Sequence, residues 1–266
     1  MKKTFWNKIA LIQNNTLYLI LLVLTICLIF ICWCQVKPNE NFTNKTSNSQ
    51  QPTISLCIPC YPPDTHELDK LMDSVRKLTV KPDQIIVGHS EINETQAKKI
   101  EKRFSDLSVK VISSPNKQYQ AKNRNMAAEH NTCDYISFMD ADDTLIPFRF
   151  DMLKKTIKDY KPKAILHSYY EGKIPDTLQT QIKEVVDGVK IYDILERTKT
   201  LNITDYKVHH AHITVHQDTF RNVKQNTSDE YYRKEDSKYV RDIVKFYGRK
   251  KDTMIYLDIP LSVYYP

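Results

Sequence analysis

Glycine is scarce in this chain, with only Gly88, Gly172, Gly188 and Gly248 among 266 residues. No two are spaced for G-x-G-x-x-G or G-x-x-x-x-G-K-[ST], which excludes the dinucleotide fingerprint and the Walker P-loop. Any phosphate must be held another way, through a cation or basic side chains. Cysteine is limited to six, and Cys27, Cys32 and Cys34 fall in one apolar run. Cys57-Ile-Pro-Cys60 is the sole C-x-x-C and reads as extended strand, where residues three apart lie about 10 Å from each other, beyond disulfide reach. With no second pair a zinc site is not indicated, and Cys57, Cys60 and Cys133 read as small buried hydrophobes. A basic stripe is missing too. The net charge is +7, but Lys2, Lys3 and Lys8 supply three of it, and residues 52–266 carry only +3. Lys and Arg there are interleaved with acids, which argues against nucleic acid as a partner and suits an anionic small-molecule substrate.

Charge is absent altogether from Leu17 to Cys34, LYLILLVLTICLIFICWC. Eighteen residues of helix span about 27 Å, close to the hydrocarbon thickness of a bilayer. A cleaved signal peptide has a shorter core ending in a small-x-small site, whereas this run ends in Cys-Trp-Cys-Gln. The run is expected to be an uncleaved signal anchor. The lysines ahead of it place residues 1–16 in the cytoplasm and the bulk on the other side, a single-pass type II arrangement with a lumenal or extracytoplasmic domain. Residues 35–51 hold almost no core-forming side chains and read as a flexible stem. Asn41, Asn44, Asn93, Asn202 and Asn226 each begin an N-x-[ST] triplet, which fits that location.

Residues 52–266 form the expected globular domain, of ordinary size for one domain. Apolar runs alternate with amphipathic stretches: strand 53–60, helix from 68, strand 84–88, helix 93–104, strand 107–112, helix 118–130, strand 134–139, helix 147–160 and a strand opening at Ala164. Asp64-Thr65-His66-Glu67 has the pattern of a capping box ahead of the first helix. Strands alternating with helices predict a mainly parallel α/β sheet covered on both faces, with ligands at the carboxyl ends of the strands. After residue 171 the alternation decays into a mixed α+β continuation.

Asp140-Ala-Asp-Asp143 follows directly on the apolar run ISFM. Three carboxylates within four residues repel one another, and a divalent cation relieves that cost. Hard cations such as Mn2+ or Mg2+ take carboxylate and phosphate oxygens together, so Asp140-x-Asp142 suits a metal bridging protein and diphosphate. A solvated acidic turn is the plain alternative.

Four stretches in this order resemble family 2 glycosyltransferases of the GT-A (Rossmann-like) fold. They are Ile54–Tyr61 (ISLCIPCY), similar to the opening strand, and Ala121-Lys-Asn-Arg-Asn125, similar to the helix before the fourth strand. Tyr135–Asp143 (YISFMDADD) is similar to the metal-binding strand, and Arg233–Val240 (RKEDSKYV) to a later Glu-Asp motif. The resemblance implies a sugar-nucleotide donor, a UDP-sugar first, and a glycan or other hydroxyl acceptor. Its diphosphate would be held by a cation on Asp142 with Asp143, and Asp140 would touch the ribose or orient the site. Asp236, beside Glu235, matches the position of the catalytic base of an inverting displacement; a charged helix start explains the same residues, and the two readings are compatible.

Pro59 and Tyr61 fall on the donor side of this alignment, and Arg124 is a candidate for the phosphates. The family usually carries an acid after strand two; here Gly88-His89 stand there, leaving His89, Ser90 or Glu91 to meet the nucleotide. His212 lies on the segment resembling the acceptor side. His209-His210-Ala-His212 has zinc-like spacing but no fourth ligand nearby. Tyr169-Tyr170 and Tyr231-Tyr232 could stack on sugars. Two other functions fit parts of the chain. Phe138–Thr144 resembles the nucleophile strand of haloacid-dehalogenase-like phosphohydrolases, with Asp140 as nucleophile, although several elements precede it where that family has the strand first. A non-catalytic glycan-binding module on the same scaffold is the other.

Overall fold

A computed structural model describes residues 51–172, 191–193, 212–228, 235–248 and 253–266. The chain divides into two units, Met1–Gln50 and Gln51–Pro266, and the described residues belong to the second. The apolar run 17–34, residues 35–50 of the stem, Asn202, His209, His210 and Tyr231–Lys234 lie outside the described residues. Among the described residues no helix is long and apolar enough to cross a membrane.

The strands are β1 Ile54–Cys60, β2 Gln84–Ser90, β3 Lys110–Ser114, β4 Tyr135–Phe138, β5 Thr144–Leu145, β6 Ala164–Glu171, β7 Ile191–Asp193, β8 Ile213–His216 and β9 Met254–Tyr264. The helices are α1 Leu68–Arg76, α2 Glu94–Arg103, α3 Gln120–Ala128, α4 Arg149–Tyr160, α5 Gln217–Asn222 and α6 Glu235–Tyr247. The nine strands among the described residues join one sheet in the order β3-β2-β1-β4-β8-β6-β9-β5, with β7 on β9. The β1–β2, β1–β4, β2–β3 and β6–β9 pairs are parallel, whereas β8 runs antiparallel between β4 and β6. The expected mainly parallel α/β half and mixed second half are both present. Because β8 reverses between them, β4, β6 and β9 point the same way as β1–β3, and their carboxyl ends share one edge.

Both faces of the sheet are covered, and alternation within the strands shows why. Ile54, Leu56 and Ile58 of β1 pack into one apolar cluster with α1, α2 and α4, while Cys57 faces the other. That second cluster holds Ala127 and Ala128 of α3, Phe220 of α5 and Tyr239, Val240 and Ile243 of α6. The free thiols of Cys57 and Cys60 are pushed up to about 12 by burial, so they behave as hydrophobes.

The first helix starts at Leu68 as expected, but the expected capping box is not formed. Pro62–Asp64 winds a short 3-10 turn ahead of it, and Glu67 makes no side-chain cap. The capping box sits instead on α2, where Asn93 accepts from the Gln96 N–H at 3.0 Å and the Gln96 side chain accepts from the Asn93 N–H at 2.9 Å. Pro62-Pro63 fixes two φ angles just past β1, and the turn this creates absorbs the residues that resembled a cap.

Candidate active site

The carboxyl edge gathers the chemistry. β1 and β4 lie side by side, in register from Ile54↔Tyr135 to Cys57↔Phe138. The Pro62–Asp64 turn after β1 therefore stands next to the Asp140–Asp143 turn after β4. Asp64 feels Asp142 first among its charged neighbours and Asp140 second; with burial as the largest cause, its carboxyl rises to about 6. Burial, then Asp140, also raises Asp142. Asp143 is 1% exposed, and burial followed by Asp140 lifts it to about 8. Its Oδ1 accepts from the Tyr265 N–H at 3.0 Å, while Oδ2 has no hydrogen-bond partner among the described residues. The sequence reading missed Asp64; the signal was an acid three residues past Tyr61 in a turn, read there as part of a cap.

Two buried arginines support the aspartate turn. Arg149 of α4 is fully buried and donates to Ser137 Oγ at 2.9 Å and to the Phe138 carbonyl at 3.0 Å, satisfying the end of β4. Burial lowers it to about 9, against a raising influence from Asp143, so it remains a cation at neutral pH. Arg124 of α3, 1% exposed, donates through Nη2 to Asp140 Oδ1, and its Nη1 lies 3.9 Å from Glu235 Oε1. Three of the motif stretches thus meet at one guanidinium: the α3 helix, the aspartate turn and the start of α6.

α3 is held rigidly against the strand ends. The Asn123 side-chain amide donates to the Cys60 carbonyl at 2.9 Å and to Ser90 Oγ at 3.0 Å. Asn125 pairs with the Gln225 backbone, donating to its carbonyl at 2.9 Å and accepting from its N–H at 3.2 Å. Gly88 permits this approach, since a Cβ there would stand 2.2 Å from the Asn123 carbonyl oxygen. The missing acid after strand two thus has a packing reason at Gly88. His89 is buried: Nδ1 donates to the Ser90 carbonyl at 2.8 Å, leaving Nε2 to accept from the Thr65 hydroxyl at 2.9 Å. Burial lowers its pKa, in keeping with that neutral tautomer. Glu91 is exposed just past β2, with φ +59°.

Pro59 is buried within β1 opposite Gly88. Tyr61 is half-buried and extended, at the head of the 3-10 turn. His212 is 1% exposed and stacks under Tyr169, ring centroids 4.2 Å apart, with His167 at 5.4 Å. Tyr169 and Tyr264 meet edge to face at 5.7 Å, both half-buried. Burial raises Tyr264, and so do Asp143, Asp142 and Asp140, in that order. The tyrosine pair therefore lies beside the aspartates on the β6/β9 side, while Glu91 lies on the β2 side. Asp236 is half-buried in the first turn of α6.

Among the described residues no three His, Cys, Asp or Glu side chains form a ready coordination shell. The donor set still fits a hard divalent cation completed from outside. Asp64, Asp142 and Asp143 are each pushed up by burial and then by neighbouring carboxylates, and among the described residues Asp143 keeps one buried oxygen without a partner.

No curated protein sequence matches the chain. Among solved structures the fold resembles S. aureus TarS 1–349 in complex with UDP, with TM-score 0.56 and 14% identity over 80% of this chain and 60% of that one. It also resembles the Pyrobaculum calidifontis mannosyltransferase PcManGT in complex with GDP-Man and Mn2+, with TM-score 0.52 and 14% identity over 80% and 58%. The chain thus spans less than two thirds of either structure. Residues 55–221 match the family model described as Glycosyl transferase family 2.

Proposed function

The chain belongs to glycosyl transferase family 2, and we propose that it moves a sugar from a nucleotide-sugar donor, a UDP-sugar in our reading, to a hydroxyl of a glycan or other acceptor, with inversion. The observation that carries this reading is the convergence of Asp140, Arg124 and Glu235 beside Asp142 and Asp236 at the carboxyl edge. Solved structures similar in fold are complexes with UDP, with UDP-GlcNAc, and with GDP-Man and Mn2+.

Asp142, with Asp143, would hold a divalent cation, Mn2+ or Mg2+. Such an ion, when bound, supplies the positive charge that stabilises a departing diphosphate. Asp140 is engaged by Arg124 and orients the site. That engagement also weakens the phosphohydrolase reading, which needs Asp140 as a free nucleophile. Glu91 and Tyr61 flank the side assigned to the nucleotide. Asp236 accepts the proton of the acceptor hydroxyl as its oxygen bonds to the anomeric carbon and the bond from that carbon to the phosphate oxygen breaks. Glu235 and Asp236 lie beyond the matched residues 55–221, so their support is positional, through Arg124. Residues 17–34 are proposed to anchor the protein as a type II membrane protein.

Binding of UDP and GDP, with and without Mn2+, tests the donor site by titration calorimetry. Asp142→Ala is expected to weaken cation-dependent binding by at least about tenfold, a change of about 1.4 kcal/mol. Asp236→Asn is expected to keep that binding and lose transfer by about a hundredfold or more, the usual range for a general base. Full transfer by Asp142→Ala would overturn the site; equal loss of binding and transfer in Asp236→Asn would make that residue structural.

A further inference from the structure

The buried guanidinium of Arg124 is incompletely satisfied. Nη2 donates to Asp140, but Nη1 stands 3.9 Å from Glu235 Oε1, an ion pair too long for a hydrogen bond. Among the described residues neither Nε nor Nη1 of Arg124 has a hydrogen-bond partner, nor has Glu235 Oε2, although Glu235 is 6% exposed. Buried charged groups short of hydrogen bonds are costly, and a small advance of Glu235 toward Arg124 would satisfy donor and acceptor together. Glu235 opens α6 and Asp236 follows it. One turn on, Tyr239 rests edge-on against Phe138 of β4, ring centroids 6.4 Å apart, which anchors the helix beside the strand that carries the aspartates. The first turn of α6 is thus held on one side by packing and on the other by an unfinished ion pair.

We propose that Arg124 is a positioning residue that sets the first turn of α6, and with it Asp236, according to what engages the Asp140 turn. One guanidinium shares its charge between two carboxylates that belong to different halves of the reaction. When the aspartate turn takes up a cation and diphosphate, the share held by Asp140 changes, and Glu235 is drawn in or released in step. Donor binding and base placement are then one linked equilibrium, and the linkage acts equally in both directions. Arg is required because a lysine ammonium is a single point charge that cannot span both carboxylates. The proposal rests on Asp236 being the base.

Hydrogen exchange of α6, read on the full chain with and without saturating UDP and Mn2+, tests it. Binding is expected to slow exchange in the first turn of α6 by about threefold or more, within the range of ordinary coupling. Glu235→Gln is expected to keep UDP–Mn2+ affinity within about threefold yet lose that slowing, and to lower kcat about tenfold with KM for the donor little changed. Arg124→Lys should likewise lose that slowing and lower kcat, and in both readouts the double variant should be no worse than the poorer single one, since both remove one link. Unchanged α6 exchange in the saturated parent, or the same slowing in Glu235→Gln, would overturn the coupling. So would additive losses in the double variant. If Arg124→Lys fails to fold, Glu235→Gln alone decides. Failure of the parent to bind either UDP or GDP with Mn2+ would instead sink the transferase reading, a result distinct from all of these.

Discussion

Asp143 is a carboxyl with almost no water and two acidic neighbours in the same turn. Burial first and Asp140 second hold its pKa at about 8, against a lowering hydrogen bond from Tyr265. An acid raised in the fold keeps its proton where the unfolded chain has released it, so folding loses ground as pH climbs from about 4 to about 8. Asp143→Asn removes the titration and keeps an oxygen for the Tyr265 N–H. In cation-free buffer the variant should match the parent near pH 4 and exceed it by on the order of a few kcal/mol at pH 8. Urea unfolding across that range measures the difference, and a gap that does not widen with pH would show Asp143 to be ionised already. The position of this residue was legible in the sequence, since three acids after an apolar run mark a strand end. Its burial was not, because the Tyr265 backbone that covers it lies 122 positions away in the chain. Arg124 was visible as a basic residue in the α3 motif, but nothing local announces that a helix cation will be sealed inside and shared by Asp140 and Glu235.

Elements were more legible than contacts between them. The apolar runs of β1 and β2 and the stripe Leu68, Leu71, Met72, Val75 of α1 are local signals, and the structure follows them. The two-residue strand β5 is too short for any pattern, and it exists only because β9 runs past it. The docking of α3 on β2 is equally non-local, yet one residue gives it away. Gly88 interrupts the strand run QIIVGHS, and an unnecessary glycine in a strand often marks a close backbone approach. Gly88→Ala would place Cβ 2.2 Å from the Asn123 carbonyl and 3.1 Å from the Ala127 nitrogen, both backbone atoms that cannot rotate aside. α3 must shift, and overpacking of this kind costs about 1–3 kcal/mol. The variant should show a lower urea midpoint. It should also bind UDP–Mn2+ more weakly, because α3 carries Asn123 and Arg124 to the strand ends. Unchanged stability together with unchanged binding would mean that the helix has slack at this contact.

At the scale of the whole molecule, the edge that holds the aspartates is set by β8 running against both its neighbours, which lets β6 and β9 deliver Tyr169 and Tyr264 to the same side as Asp142. A sequence cannot show that reversal, since β8 is four residues long and its partners lie far away. The proposed anchor is the opposite case, a property of composition alone. Eighteen consecutive residues without a charge, 17–34, gain more from hydrocarbon than from any water-exposed position, because each apolar side chain favours the bilayer and no ionic group opposes insertion. In this proposal Lys2, Lys3 and Lys8 would resist translocation and hold residues 1–16 on the cytoplasmic side. The full chain should stay with membranes through an alkaline carbonate wash, while a chain beginning at residue 51 should be released. In sealed vesicles made with the lumen inside, added protease should remove only the short N-terminal segment and leave residues 51–266 intact until detergent is added. Degradation of residues 51–266 in intact vesicles would reverse the orientation. Release of the full chain by carbonate would mean that the run is not an anchor, and the acceptor would then be sought without the constraint of a membrane surface.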